Sequence, residues 1–288
     1  MNYNTYYYLG LSTLGVLILT YVYFKTRSDR TILIFLTMVE IAYLIEAVTY
    51  IFLGAYQYHP QILKHNAYYD SHMGALTSNL ITVPVLATCV AVFQLNWKWI
   101  VIFIGLLAGI EWIFVEINIY TLFWWRIEYT SVGLIVYFPL AKWLYRRLLH
   151  PLRGFYHFMF LFLCIAPLSG TAQFLPFMLF SNRDYLPGWF VNPAYDTSAF
   201  GVVYYLCISL LLVVLTKVHW SHKRMKYVAM VSIVLVLNVS LKILGILHSH
   251  VWWDTWFYVL FPLVLLMITE NISNRLLNGP LIRTKVIT

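Results

Sequence analysis

Apolar runs of eighteen or more residues recur from one end of this chain to the other, and they leave few folds open to it. Inside a bilayer every backbone N–H and C=O must find a partner within the protein, so a spanning segment is either a helix or a strand of a closed barrel. A barrel needs segments of about ten residues with alternating polarity, and these are absent. Long unbroken apolar runs fit helices. Composition agrees, because 61% of the 288 residues are hydrophobic and 10% are charged, against about 25% charged in a soluble domain. The chain reads as an all-α, polytopic membrane protein. Its 11 Trp and 23 Tyr suit two interfacial belts.

Nine spans are expected, at 5–24, 31–54, 73–94, 99–120, 129–147, 154–180, 198–216, 227–248 and 253–270. The first apolar run has no basic segment before it, and Lys25, Arg27 and Arg30 follow it. It therefore reads as a retained first span rather than a cleaved signal peptide. Alternating the loops puts Lys25, Arg27, Arg30, Lys98, Arg146, Arg147, Arg153, Lys217, Lys223, Arg224, Lys226, Arg275, Arg283 and Lys285 on one side, against Lys64, Arg126 and Arg183 on the other. The positive-inside rule then sets the N-terminus outside and the C-terminus in the cytoplasm, with the cell membrane as the location. A net charge of +8 reads as this topology signal plus attraction to anionic lipid, with no nucleic acid implied. Membrane lipids are the expected partners. Cys89, Cys164 and Cys207 fall inside spans and read as small packing residues.

Short elements recur in order. Tyr69-Asp70 returns as Tyr195-Asp196, Trp124-Trp125 as Trp252-Trp253, and Arg147-Leu148-Leu149 as Arg275-Leu276-Leu277. Asn96-Trp97 is echoed by His219-Trp220. The reading is two four-helix repeats, 31–150 and 151–277, behind an N-terminal helix and inside loop over 1–30, with a cytoplasmic tail at 278–288. An even number of spans per copy makes the repeats parallel. Residues 30 to 150 also resemble an uncharacterised family of small multi-helix membrane proteins of Bacillus and Clostridium relatives. The likeness rests on Pro84, Glu111, Trp124 and Trp125. It implies a bacterial cell membrane and assigns no activity; the second copy lacks that proline and that glutamate.

Five ionisable side chains fall within spans: Glu40, Glu46, Glu111, Glu116 and Lys242. A charge facing lipid at a helix centre costs about 2.5–3.5 kcal/mol on insertion scales, so these groups should turn inward as ligand or proton-handling candidates. At 100° per residue Glu111 and Glu116 point roughly 140° apart and Glu40 and Glu46 roughly 120° apart, which disfavours a two-metal site. In the repeat Lys242 falls opposite Glu116, and Asp254 opposite Arg126. Pairing of Lys242 with Glu116, or with Glu111, across the interface of the copies is therefore expected. The alternative is protonated glutamates acting as structural hydrogen-bond partners. Asn79, Asn118, Asn238 and Gln173 would complete either network.

His248, His250 and Asp254 are weak metal candidates, without an HExxH or CxxC motif beside them. No cofactor motif is present. Pro167, Gly170 and Pro176 should kink the sixth span, and residues 220–226 read as a lipid-contacting inside loop. Function narrows to three classes. A small-solute or ion-coupled carrier with a polar pocket between the repeats leads. A membrane-embedded enzyme acting on a lipid or isoprenoid follows, then a non-catalytic scaffold or sensor. The ligand is a small molecule or a lipid, and the oligomeric state is left open.

Overall fold

The computed structural model describes residues 3–278, and residues 279–288 of the expected tail, with Arg283 and Lys285, lie outside them. Nine helices hold about three quarters of the described residues: α1 Tyr3–Thr26, α2 Asp29–Phe52, α3 Ala67–Val92, α4 Trp97–Glu116, α5 Ile127–Leu148, α6 Gly154–Phe180, α7 Pro193–Lys217, α8 Lys223–Ile243 and α9 Asp254–Asn278. Eight of them are long and apolar enough to cross a membrane. The other, α5, has 22 residues and carries its charges, Glu128, Lys142, Arg146 and Arg147, toward its two ends. The chain is thus a multi-pass helical membrane protein.

Four short strands complete the fold: β1 Tyr56–Tyr58, β2 Tyr120–Leu122, β3 Arg183–Tyr185 and β4 Leu247–Ser249. They form two antiparallel ribbons, β1 with β2 and β3 with β4. Because the helices alternate in direction, both ribbons lie at one end of the bundle. The clusters Lys25/Arg27, Arg146/Arg147 and Lys223/Arg224/Lys226 lie at the other.

The helix ends follow from local chemistry. Asn66 accepts from the backbone N–H groups of Tyr68 and Tyr69, which starts α3 six residues before the expected span. Asn192 caps α7 in the same manner through Ala194. The Asp70 carboxylate accepts from the N–H groups of Gln61, Ile62 and Leu63. Asp196 does the same for Gly188, Trp189 and Phe190. Each acid thereby fixes the loop before its own helix. Ser71 Oγ accepts the Tyr58 N–H, and Thr197 Oγ1 the Tyr185 N–H, which ties each ribbon to the helix beneath it.

The element order α2-β1-α3-α4-β2-α5 is matched by α6-β3-α7-α8-β4-α9. A shift of 127 residues carries the β1–β2 register, Tyr56 to Leu122 and Tyr58 to Tyr120, onto Arg183 to Ser249 and Tyr185 to Leu247. The same shift carries the left-handed residues Gly54 and Asn118 onto Ser181 and Gly245. The opening helices α2 and α6 pack together, and at the ribbon end Tyr68 stacks on Tyr195 with centroids 3.7 Å apart. Helix α1 lies against α3, where a Cβ on Gly15 would overlap Ile81.

Helix α6 continues through Pro167 and Pro176, because packed neighbours let a spanning helix tolerate the missing N–H groups. Irregular turns occur as π-helical segments, Ala47–Phe52 in α2 and Thr77–Thr82 in α3. The second lies directly before Pro84, and Thr82 Oγ1 closes onto the Thr77 carbonyl at 2.8 Å. Single π turns of this kind concentrate at functional sites.

Candidate functional site

The π segment of α3 lines a cavity of about 210 Å³, enclosed by α1 to α5 beneath the β1–β2 ribbon, and Glu46, just before the π segment of α2, lines it too. Two carboxylates line it. Glu46, on α2 at the start of the π turn, accepts a hydrogen bond from the Tyr56 hydroxyl at 2.5 Å. Its other oxygen is buried and has no partner among the described residues. The Asn79 amide nitrogen, on the π turn of α3, faces that carboxylate as a nearby donor, but the two do not meet at hydrogen-bond distance and angle. Glu111, on α4, accepts from Thr130 Oγ1 at 3.2 Å, and Trp125 Nε1 donates to the same hydroxyl at 2.8 Å.

The roof is aromatic. Tyr58 and Tyr120 face each other across the ribbon with centroids 4.8 Å apart, and Tyr56 packs against both. Burial, with the Glu46 charge beside it, holds the Tyr56 phenol well above its ordinary pKa, so it remains a donor to the carboxylate. The ribbon approaches this closely because residue 74 is glycine; a Cβ there would overlap Tyr58. No lysine, arginine or histidine is among the lining residues. Two acids and aromatic faces make a site that attracts positive charge.

The remaining candidates lie elsewhere. Glu40 is fully buried where the two sets of helices meet, accepting from Tyr205 at 3.3 Å with its second oxygen unpartnered. A smaller cavity of about 60 Å³ lies near that junction and shares Glu46 and Asn79 with the larger one. Glu116 is exposed at the last residue of α4. Lys242 is exposed near the end of α8 and donates to Thr255 at 2.8 Å. Among the described residues it joins no ion pair, so the expected pairing with Glu116 or Glu111 does not form. Both groups sit at helix ends, where water and headgroups remove the need for a partner. The exposed Asn118 occupies the left-handed turn after α4.

The metal candidates are also separated by their partners. His248 Nε2 contacts the Gly245 carbonyl at 2.9 Å, His250 Nε2 contacts Asp184 at 2.8 Å, and Asp254 is enclosed by Asn182, Arg183 and Ser249. The described residues contain no cluster of three or more His, Cys, Asp or Glu side chains able to hold a metal ion.

Sequence reasoning counted Arg183 as an exposed loop charge, whereas it is fully buried under the second ribbon. Its Nε and Nη2 donate to the two oxygens of Asp254, both at 2.8 Å, and Nη1 donates to the Tyr185 hydroxyl at 2.6 Å and to Asn238 at 3.4 Å. The guanidinium lies over the Tyr258 ring, 3.2 Å from its centroid. The expected counterpart of Asp254, Arg126, is exposed and takes no part. Asn238 also donates to Tyr204, and the Gln173 side-chain amide donates to the Gly201 carbonyl. These two amides therefore serve the second set of helices. The signal for Arg183 lay in the sequence as Arg183-Asp-Tyr185, with the same one-residue spacing as Tyr56-Gln-Tyr58.

No family model, curated protein or solved structure matches the chain.

Proposed function

We propose that this protein is a carrier for a small solute in the cell membrane, with its binding site in the 210 Å³ cavity enclosed by α1 to α5. One observation carries the reading: Glu46 presents a buried oxygen without a hydrogen-bond partner to a cavity that already holds a second carboxylate. A buried polar group left unpaired costs about 1–3 kcal/mol, more when charged, which marks a place where something else completes the site. At about 30 Å³ per water, the volume holds roughly seven waters or a small organic solute. The site on this reading lies between the first four-helix set and α1 rather than between the two sets. On this reading the two sets are parallel copies, 31–150 and 151–277, and the first alone keeps the acids of a transport site. The N-terminus is outside, and the likeness to a Bacillus and Clostridium membrane family fits a bacterial cell.

A second reading has its own support. Ile45, Tyr129 and Gly133 line the cavity and are also exposed on the outer surface of the bundle, so part of the wall faces lipid. That geometry suits an enzyme drawing a lipid or isoprenoid head group in from the side.

A cysteine at Ser78, in a background with Cys89, Cys164 and Cys207 replaced by alanine, separates the two. For a carrier, a small charged thiol reagent modifies Ser78→Cys from either face of oriented vesicles. Modification by membrane-soluble reagents alone supports the lipid-side enzyme. Modification from neither phase overturns both.

A further inference from the structure

We propose that the cavity takes a small organic cation with a guanidinium head, and that the second set of helices carries a built-in copy of that complex in Arg183. The inference rests on the cavity being the ligand site and adds the chemical class of the ligand.

The correspondence of the two ribbons makes the comparison. The register shift that carries Tyr58 onto Tyr185 carries Tyr56 onto Arg183. The same shift holds at the turn after α4 and α8, Asn118 onto Gly245, so Glu111 falls on Asn238. Beneath the second ribbon the chain's own guanidinium is held by a carboxylate, a tyrosine hydroxyl, an amide and an aromatic face. Beneath the first ribbon the same kinds of groups stand around open space. Glu46 and Glu111 supply carboxylates, Asn79 an amide, and Tyr58 and Tyr120 aromatic surface, while the position of the arginine is a tyrosine that turns to Glu46.

Charge points the same way. The second set balances Asp254 against Arg183 with both side chains fully buried. The first set lines its cavity with two acids and no basic side chain, and Glu46 is itself 93% buried with one oxygen unpaired. A guanidinium offers five N–H donors in a plane, enough to serve two carboxylates at once. A hydrated metal ion has less use for an aromatic roof.

The test is calorimetric titration of full-length protein in lipid nanodiscs with methylguanidinium chloride, with sodium chloride at equal ionic strength as the control. The expected result is saturable binding of one methylguanidinium per chain. Glu46→Gln and Glu111→Gln should each weaken it tenfold or more, and the exposed Lys242→Ala should leave it unchanged. Tyr56→Arg supplies a guanidinium from the position that Arg183 occupies. It should abolish binding while leaving the melting temperature equal to or above wild type, and in the Glu46→Gln, Glu111→Gln background it should lower that temperature. Circular dichroism and size-exclusion elution check that each variant is folded.

No saturable heat with wild type overturns the proposal, as does binding that survives both glutamine substitutions or Tyr56→Arg unaltered. Saturable sodium binding without methylguanidinium binding overturns the organic class. If methylguanidinium fails while Ser78→Cys is still modified from both faces, the carrier reading stands and the cation inference alone falls.

Discussion

Arg183 and Asp254 show what one buried pair does in this fold. Removing a single partner of a buried ion pair typically costs about 3–5 kcal/mol, because the other charge stays behind without compensation. Arg183→Met should therefore lower the denaturation midpoint of the purified protein sharply. The double variant Arg183→Met, Asp254→Leu should recover most of that loss, and simple additivity of the two single changes would contradict the pairing. Lys242→Ala, by contrast, should shift stability by less than about 0.5 kcal/mol, since the side chain is exposed and bonds only to Thr255. His59, in the loop after β1, gives a pH signature. Burial lowers its pKa below the ordinary value, with Asp70 opposing the shift in part. The unfolded chain then binds the proton more readily than the folded one. The stability contributed by neutral His59 is present at about pH 7.5 and declines as pH falls below about 6.5 and through the folded value. Thermal melts across this range should converge at low pH for wild type and His59→Gln, and a constant difference would contradict the assignment.

At the scale of elements, each ribbon is set by one aspartate gathering three backbone N–H groups. Hydrogen bonds to charged groups are worth about 1.5–3 kcal/mol each, so these loops should open locally when the acid is removed. Hydrogen exchange provides the measurement. Asp70→Ala should accelerate exchange at residues 61–63 and leave 188–190 unchanged, and Asp196→Ala should do the reverse. Uniform acceleration in both loops from either change would mean that the ribbons do not act as separate units. Glycine 74 is the other element-scale contact. Gly74→Ala forces Tyr58 away from α3, so the cavity roof should deform while the second ribbon stays in place.

Across the whole molecule, basic residues gather at the end away from the ribbons. With the N-terminus outside, as proposed, residues 217–226 would face the cytoplasm. In intact cells, Ser221→Cys should react with an impermeant maleimide only after permeabilisation, and a cysteine in place of Lys64 should react at once. Labelling of Ser221→Cys from outside would reverse the orientation.

Several properties were legible from residues alone. The class of fold follows from run length, because lipid accepts only backbone that satisfies itself. Glu46 and Glu111 stood out because a bilayer rejects them, and both line the cavity. Asn79 was named too, as one amide among four. What the sequence could not decide is which helix faces meet. Lys242 and Glu116 fall near matching positions in the chain, yet each ends a helix at exposed depth, so no burial forces them together. Arg183 looked like an ordinary loop charge, and only its ribbon, folded down over Tyr258 and held to Asp254, turns it inward. The cavity belongs to the tertiary structure for the same reason. Its carboxylates come from α2 and α4, its roof from β1 and β2, and part of its wall from the π turn of α3. Residues far apart in the chain share that space only once the helices have packed.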